Sequence, residues 1–312
     1  MLSILITGGA GFIGYHLQKK LTEKYNINAI DLLDRNIKTI SHRKANIKHI
    51  MQGDVNLPFL DLVETKPNVV IHLAAETGIS GSLTNPEKYF NTNVAGTFNV
   101  LEECRKNGVK YLIYASSSSV YEPNQEIMHE QANTEKQLSF YGTTKKMSEV
   151  MIGNYCKQFG MVAIGLRFFT VYGSYTRPDM AAYKFMEAIS MGKPIVLYNN
   201  GNVYRDFTHV SDVVNSIELL LEKIQQEPGG SHKVFNIGYG TPISVNDYAT
   251  CIAKHLSKPL FTQFLPLPAN ELPATHSNTQ LLESYINYKP KCGINEGILE
   301  MTNWYKTNNY EQ

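Results

Sequence analysis

TGGAGFIG, residues 7–14, follows the apolar run SILIT and opens a stretch with helical periodicity. Its glycines, Gly8, Gly11 and Gly14, have the spacing of a dinucleotide-binding turn. The first permits a tight turn, the second lets backbone approach a pyrophosphate, and the third lets the helix pack closely, with the phosphate at the helix N-terminus. A glycine triplet alone is a weak sign. Here a strand precedes it, a helix follows, and Asp31 stands 17 residues after Gly14 at the end of the next apolar run. Asp31 is placed to accept hydrogen bonds from an adenosine ribose and to repel a 2′-phosphate, which favours NAD over NADP. Arg35, close by in sequence, leaves NADP open.

Outward from this turn, short apolar runs recur at residues 3–7, 28–32, 69–73, 111–115 and 162–168, with helical stretches at 13–25, 91–107 and 139–159. Such alternation predicts an α/β fold, a Rossmann-type doubly wound parallel sheet with helices on both faces. Ligands bind such sheets at the carboxyl ends of the strands. The residues there are small: GDV at 53–55, HLAA at 72–75 and ASSSSVY at 115–121. GDV also reads as an ordinary turn and HLAA as core packing. As walls for a dinucleotide, the candidates are Gly8, Gly11, Phe12, Ile13, Gly14, Asp31, Asp54, Val55, Leu73, Ala74 and Ala75.

The chain has 312 residues, 43% hydrophobic and 18% charged, with a formal net charge of +1. That balance gives no electrostatic reason to expect nucleic acid or an anionic membrane as partner. An anionic ligand must be held by a local site. Cys104, Cys156, Cys251 and Cys292 are far apart and form no C-x-x-C pair, so neither a metal site nor a disulfide framework is expected. A reducing cytoplasm fits. The opening MLSILITGG runs into a strand with no basic segment or long apolar stretch, so neither a signal peptide nor a membrane span is expected.

SFYGTTKKMSE, residues 139–149, sets Tyr141 four places ahead of Lys145. Side chains at i and i+4 share a helix face, and such pairs are ordinary on half-buried surfaces. A phenol has a pKa of about 10, and a nearby positive charge favours its ionised form. With the serine run and a nicotinamide alongside, the pair forms a set able to remove an alcohol proton as hydride leaves.

TGGAGFIG, HLAA, ASSSSVY, YGTTK and RDFTHVSD, in that order, resemble the extended short-chain dehydrogenase/reductase family over essentially the whole chain. The resemblance points to nucleotide-sugar epimerases, dehydratases and decarboxylases. It implies Ser117, Tyr141 and Lys145 as the catalytic set, with Ser118 and Ser119 near the sugar. It also implies Asn93 and Phe169 on the cofactor side and Arg205 at the diphosphate. RFFTVYGSYTRPDM, residues 167–180, is most similar to UDP-glucuronate 4-epimerases. Thr170 and Arg177 are then expected at the sugar carboxylate, since an arginine fork pairs well with one. A surface-paired loop arginine is the plainer reading of Arg177. Lys184 and Lys193 read as solvated charges.

Dehydratases of this family carry an Asp-Glu pair after the active hydroxyl, and decarboxylases usually a Glu before Val-Tyr. Here those positions are Ser118 and Ser119. Simple 4-epimerisation through a 4-keto sugar is therefore expected. The chain departs from the uronate pattern in two places. Ser80 and Gly81 replace an Arg-Tyr pair, and Asn270 and Glu271 replace a Gly-Asp pair at the expected uridine ribose contact. A UDP-N-acetylhexosamine or UDP-hexose 4-epimerase is the alternative, and an NAD-binding regulator without turnover a more distant one. The resemblance further implies an NAD-binding domain of residues 1–165 and 208–237 and a smaller α/β sugar-nucleotide domain of 166–207 and 238–312. It also implies a homodimer built on helices 91–107 and 139–159. In the second half, a helix at 181–191, a return to the sheet at 203–221 and a helix at 295–305 are expected.

Overall fold

The structure is a computed structural model that describes residues 2–31, 50–123 and 125–309. In chain order the first part comprises β1 (Ser3–Thr7), α1 (Phe12–Leu21), β2 (Asn26–Asp31), β3 (Ile50–Gln52), β4 (Val69–His72), α2 (Ile79–Thr84), α3 (Pro86–Tyr89), a π-helical turn (Phe90–Ala95), α4 (Gly96–Lys106), β5 (Tyr111–Ser117), α5 (Phe140–Phe159) and β6 (Val162–Phe168). The rest comprises β7 (Thr170–Tyr172), α6 (Ala181–Ser190), β8 (Ile195–Tyr198), β9 (Tyr204–Arg205), β10 (Phe207–His209), α7 (Val210–Ile224), β11 (His232–Ile237), β12 (Ile243–Ser244), α8 (Val245–Leu256), β13 (Thr262–Leu265), α9 (Gln280–Ile286) and α10 (Ile294–Asn309).

Seven strands form one sheet in the order β11-β6-β5-β4-β1-β2-β3, every pair parallel. All five residues of β1 are buried, as a central strand covered on both faces must be. One face packs on α1 and α7 through Leu17, Leu21, Val213, Ile217 and Leu221. The other packs on α4 and α5 through Leu101, Cys104, Ile152 and Cys156. A separate core joins α6, α8 and α10 around Met186, Ile252 and Met301. It is served by two-stranded pairings of β7 with β10, β9 with β12, and β8 with β13.

Strand order reverses between β1 and β4, so the loops leaving these neighbours part in opposite directions and open a crevice at their carboxyl ends. Two strands of the main sheet went unpredicted: β3 is three residues long, and β11 begins with the polar His232 and Lys233. The expected return to the sheet at 203–221 is largely helix α7, and β11 makes the return instead. The expected single helix at 91–107 is broken by the π-helical turn before α4. Leu32 and Arg35 lie outside the described residues. No helix among the described residues is long and apolar enough to cross a membrane.

Candidate active site

A cavity of about 540 Å³ occupies the crevice, lined from the glycine turn through the serine run to Arg177 and Glu271. Gly8 has φ of +71°, and a Cβ there would lie 2.7 Å from the Ala74 nitrogen. Only glycine lets the turn after β1 sit this close to the loop after β4. A Cβ at Gly14 would fall 2.3 Å from the Gly8 carbonyl, which fixes how closely α1 approaches its turn. Gly11 caps α1 without a side-chain acceptor for its leading N–H groups, and Phe12, Ile13 and Gly14 line the cavity. A helix start of this kind attracts phosphate.

Asp31 lines the same end and accepts from the Ala10 N–H at 2.9 Å, which ties β2 to the glycine turn. Val55, Leu73, Ala74 and Ala75 form apolar walls. Asp54 is not among the lining residues, although Gly53 and Val55 on either side of it are; its carboxylate accepts from the Asn56 N–H at 2.9 Å. Asn93 is also not in the wall. Its amide accepts from the Glu76 N–H at 2.8 Å and donates to the Glu76 carbonyl and the Thr144 hydroxyl, both at 3.0 Å. The π-helical turn that carries Asn93 thus positions the loop after β4 from behind.

A second brace backs the same loop. The Ala74 N–H donates to Thr7 Oγ1 at 3.2 Å, and Thr7 Oγ1 lies 2.7 Å from His72 Nδ1. On its other side His72 Nε2 is 3.1 Å from Thr97 Oγ1, whose proton goes to the Asn93 carbonyl at 2.6 Å. Since that proton is committed, Nε2 is the donor and Nδ1 the acceptor of the Thr7 proton. Burial, with the Lys145 charge adding to it, holds the His72 pKa down at about 3, so the ring stays neutral.

At the opposite end, the serine run leaves β5 in a single tight turn, in which Ser117 Oγ accepts from the Ser119 N–H at 3.1 Å. Helix α5 starts beside it, capped by the Ser139 hydroxyl, which accepts from Gly142 at 3.1 Å. A Cβ at Gly142 would sit 2.2 Å from the Ser119 carbonyl. That glycine, which sequence reading passed over, is what lets Tyr141 stand next to Ser117. Burial raises the Tyr141 pKa, while the Ser117 hydroxyl and the Arg177 charge favour its ionised form. Arg177 is thus a cation that acts on the phenol, a role that the i, i+4 spacing did not suggest. Lys145 is 5% exposed, donates to the Ala115 carbonyl at 3.0 Å, and has its pKa lowered by burial to about 8.

Ser117, Ser118, Ser119, Phe169, Thr170, Arg177 and Glu271 all line the cavity. Arg205 stands behind Glu271, donating to it at 3.0 Å and to the Tyr204 carbonyl at 2.9 Å. Glu76, Thr77, Thr92, Asp179 and Met180 also line it, and sequence reading missed them. For Glu76 a signal existed, the place directly after HLAA. Ser80 is exposed, and a Cβ at Gly81 would meet the Tyr89 hydroxyl at 2.5 Å. Tyr89 thus fills the space beyond position 81, and its ring meets Tyr141 edge-on at 6.2 Å.

The family profile described as NAD dependent epimerase/dehydratase family matches residues 4–238. This chain belongs to that family. Across 98% of its length it is 37% identical to the uncharacterized protein MJ1055 of Methanocaldococcus jannaschii, covering 97% of that protein. A probable UDP-glucuronate 4-epimerase of Rhizobium meliloti is 32% identical, with 97% of each chain covered. The structure of UDP-glucuronic acid 4-epimerase from Bacillus cereus, in complex with UDP-glucuronic acid and NAD, superposes with a TM-score of 0.91 at 27% identity, covering 98% of this chain and 99% of that one.

As a member of the epimerase/dehydratase family the protein is an NAD-dependent nucleotide-sugar epimerase-family enzyme. Its own residues fit that cofactor. The glycine turn presents backbone where a Cβ would collide, α1 begins at the cavity, and a carboxylate ends β2. Gly8 to Gly14 would hold the pyrophosphate and Asp31 the ribose.

Proposed function

We propose that the protein interconverts the C4 epimers of UDP-glucuronate and UDP-galacturonate. The observation that carries this reading is one cavity bringing Tyr141 and Ser117 together with Thr170 and Arg177. NAD, when bound, supplies the acceptor that takes a hydride from C4 and returns it. The Tyr141 phenolate takes the proton of the sugar 4-hydroxyl, and Ser117 orients that hydroxyl. The ketone turns its other face, and Tyr141 gives the proton back. Ser118 and Ser119 offer no carboxylate for proton transfer at C5, which argues against dehydration. A uronate oxidised at C4 is a β-keto acid, so its carboxylate must be held against loss of CO₂. Arg177 has the fork for that task. Arg205 supports the diphosphate side through Glu271, in a sugar-nucleotide lobe of residues 166–207 and 238–312.

Glu76, a second carboxylate in the wall that acts on Arg177, supports the alternative of a neutral UDP-hexose or UDP-N-acetylhexosamine. Incubation with UDP-glucuronate, UDP-glucose and UDP-N-acetylglucosamine, resolved by chromatography and NMR, separates the two readings. UDP-galacturonate is the expected product. Arg177→Ala is expected to lower uronate turnover about ten- to a hundredfold, the worth of a charged hydrogen-bonded pair. Undiminished uronate turnover in that variant removes the carboxylate role, and conversion of a neutral sugar alone establishes the alternative.

The same reading includes a homodimer. Phe98 on α4 and Met147, Val150 and Phe159 on α5 are large apolar side chains left 37–61% exposed on neighbouring helices. Clusters of this kind mark interaction surfaces. Sedimentation velocity is expected to give twice the 35.2 kDa chain mass, and Val150→Glu to halve it. A wild-type monomer at micromolar concentration would sink the dimer.

A further inference from the structure

Arg177 already holds a carboxylate of this chain. Its Nε donates to Asp179 Oδ1 at 2.9 Å and its Nη2 to Oδ2 at 2.9 Å, the two-pronged geometry in which guanidinium groups take carboxylates generally. The Arg177 side chain is 23% exposed and that of Asp179 60%. The guanidinium is thus largely withdrawn from water, whereas its partner sits at the mouth, and both line the cavity.

We propose that Asp179 is a specificity-determining residue, an internal stand-in for the substrate's carboxylate that a uronate must displace from Arg177 and a neutral sugar leaves in place. This rests on the reading of the cavity as a UDP-sugar site. Three features make the exchange feasible. The pair is local: only Pro178 separates the partners, and the backbone bond from the Met180 N–H to the Arg177 carbonyl at 3.1 Å closes the turn without either side chain. Release therefore needs only rotation of an exposed side chain. The freed carboxylate has a place to go, because Lys184 acts on Asp179 and α6 begins two residues later with no side-chain cap. Finally, a guanidinium largely withdrawn from water is costly without an anion, so Asp179, with the Glu76 charge adding to it, keeps Arg177 neutralised whenever the sugar brings no carboxylate.

One fork and two carboxylates make the uronate affinity the difference between two similar interactions. Neutral sugars escape that competition. The exchange therefore sets how far the site distinguishes a uronate from its neutral counterpart, at a residue that need not touch the reacting atoms.

The test compares Tyr141→Phe with Tyr141→Phe/Asp179→Asn, so that turnover does not blur the titrations. In the presence of NAD, dissociation constants for UDP-glucuronate and UDP-glucose are measured calorimetrically. Asparagine keeps the shape and removes the competing charge. The ratio of the two constants is expected to shift three- to tenfold toward the uronate. Trp304, the chain's single tryptophan, lies 5.2 Å from the Tyr175 ring, two residues before Arg177, and offers a fluorescence readout of the same titrations. A ratio that does not move, or moves toward the neutral sugar, overturns the exchange whichever sugar the wild-type chain converts. A shifted ratio together with wild-type turnover of UDP-glucose alone supports the exchange and overturns the uronate preference.

Discussion

Tyr141→Phe is expected to lower kcat about a thousandfold while leaving the chain folded, because it deletes one oxygen from a site whose chemistry needs a proton moved. The ring remains, and with it the edge-on contact to Tyr89. What disappears is the acceptor faced by the Ser117 hydroxyl and the Arg177 charge. These two act against burial, which pushes the phenol's pKa up. The sign follows directly. A base with a raised pKa loses its reactive form as pH falls, so wild-type kcat/KM is expected to decline on the acid side. Ser117→Ala, which removes a group favouring the ionised phenol, is expected to move that limb to higher pH. A product assay across pH 6 to 9 checks both, and a Phe variant retaining a tenth of wild-type kcat would exclude Tyr141 as the base.

The glycine turn, Asp31, the serine run and the Tyr141–Lys145 pair were legible in the sequence because each depends on local chain geometry. A positive φ, a helix start and an i, i+4 step are properties of a few consecutive residues. The site's wiring was not legible. Asn93 was expected at the cofactor, yet its amide braces Glu76 across 17 residues of sequence, a pairing set by how the π-helical turn packs under the loop. Asp54 ends the right loop but faces Asn56. Gly142 lies inside a helical stretch, and only the fold sets the Ser119 carbonyl against it. Nor could periodicity see β11, whose first three residues are half-buried at the edge of the sheet. The same limit applied to charge. Spacing nominated Lys145 as the cation for Tyr141; that Arg177 also acts on the phenol, from a loop 36 residues away, is set by the fold.

Glu149→Ala is expected to cost about 3–5 kcal/mol of stability, the usual penalty for leaving one member of a buried ion pair alone. Glu149 stands one turn beyond Lys145 on α5 and is 4% exposed, and its partner Arg167, at the end of β6, is also 4% exposed. Arg167 donates to Glu149 through Nε and Nη2, each at 2.9 Å, while the Ser116 hydroxyl donates to the same carboxylate at 2.6 Å. Burial opposes the Arg167 charge, and Glu149 more than offsets it, so its pKa is raised. The guanidinium also donates to the Glu130 carbonyl at 3.1 Å and lies 4.8 Å over the Tyr121 ring. With Glu149 gone, those neutral contacts must carry a buried cation by themselves. For a domain stable by about 5–15 kcal/mol the loss is large. Glu149→Leu combined with Arg167→Met removes both charges and is expected to recover most of it. The pair also fastens α5 to the residue before Ser117, so the double variant is expected to fold yet show lower kcat than wild type, with Tyr141 and Ser117 less well aligned. Urea unfolding of the single and double variants measures the stability claim. A single variant within about 1 kcal/mol of wild type would mean that Arg167 finds another anion or water, and that α5 is held by its apolar face alone.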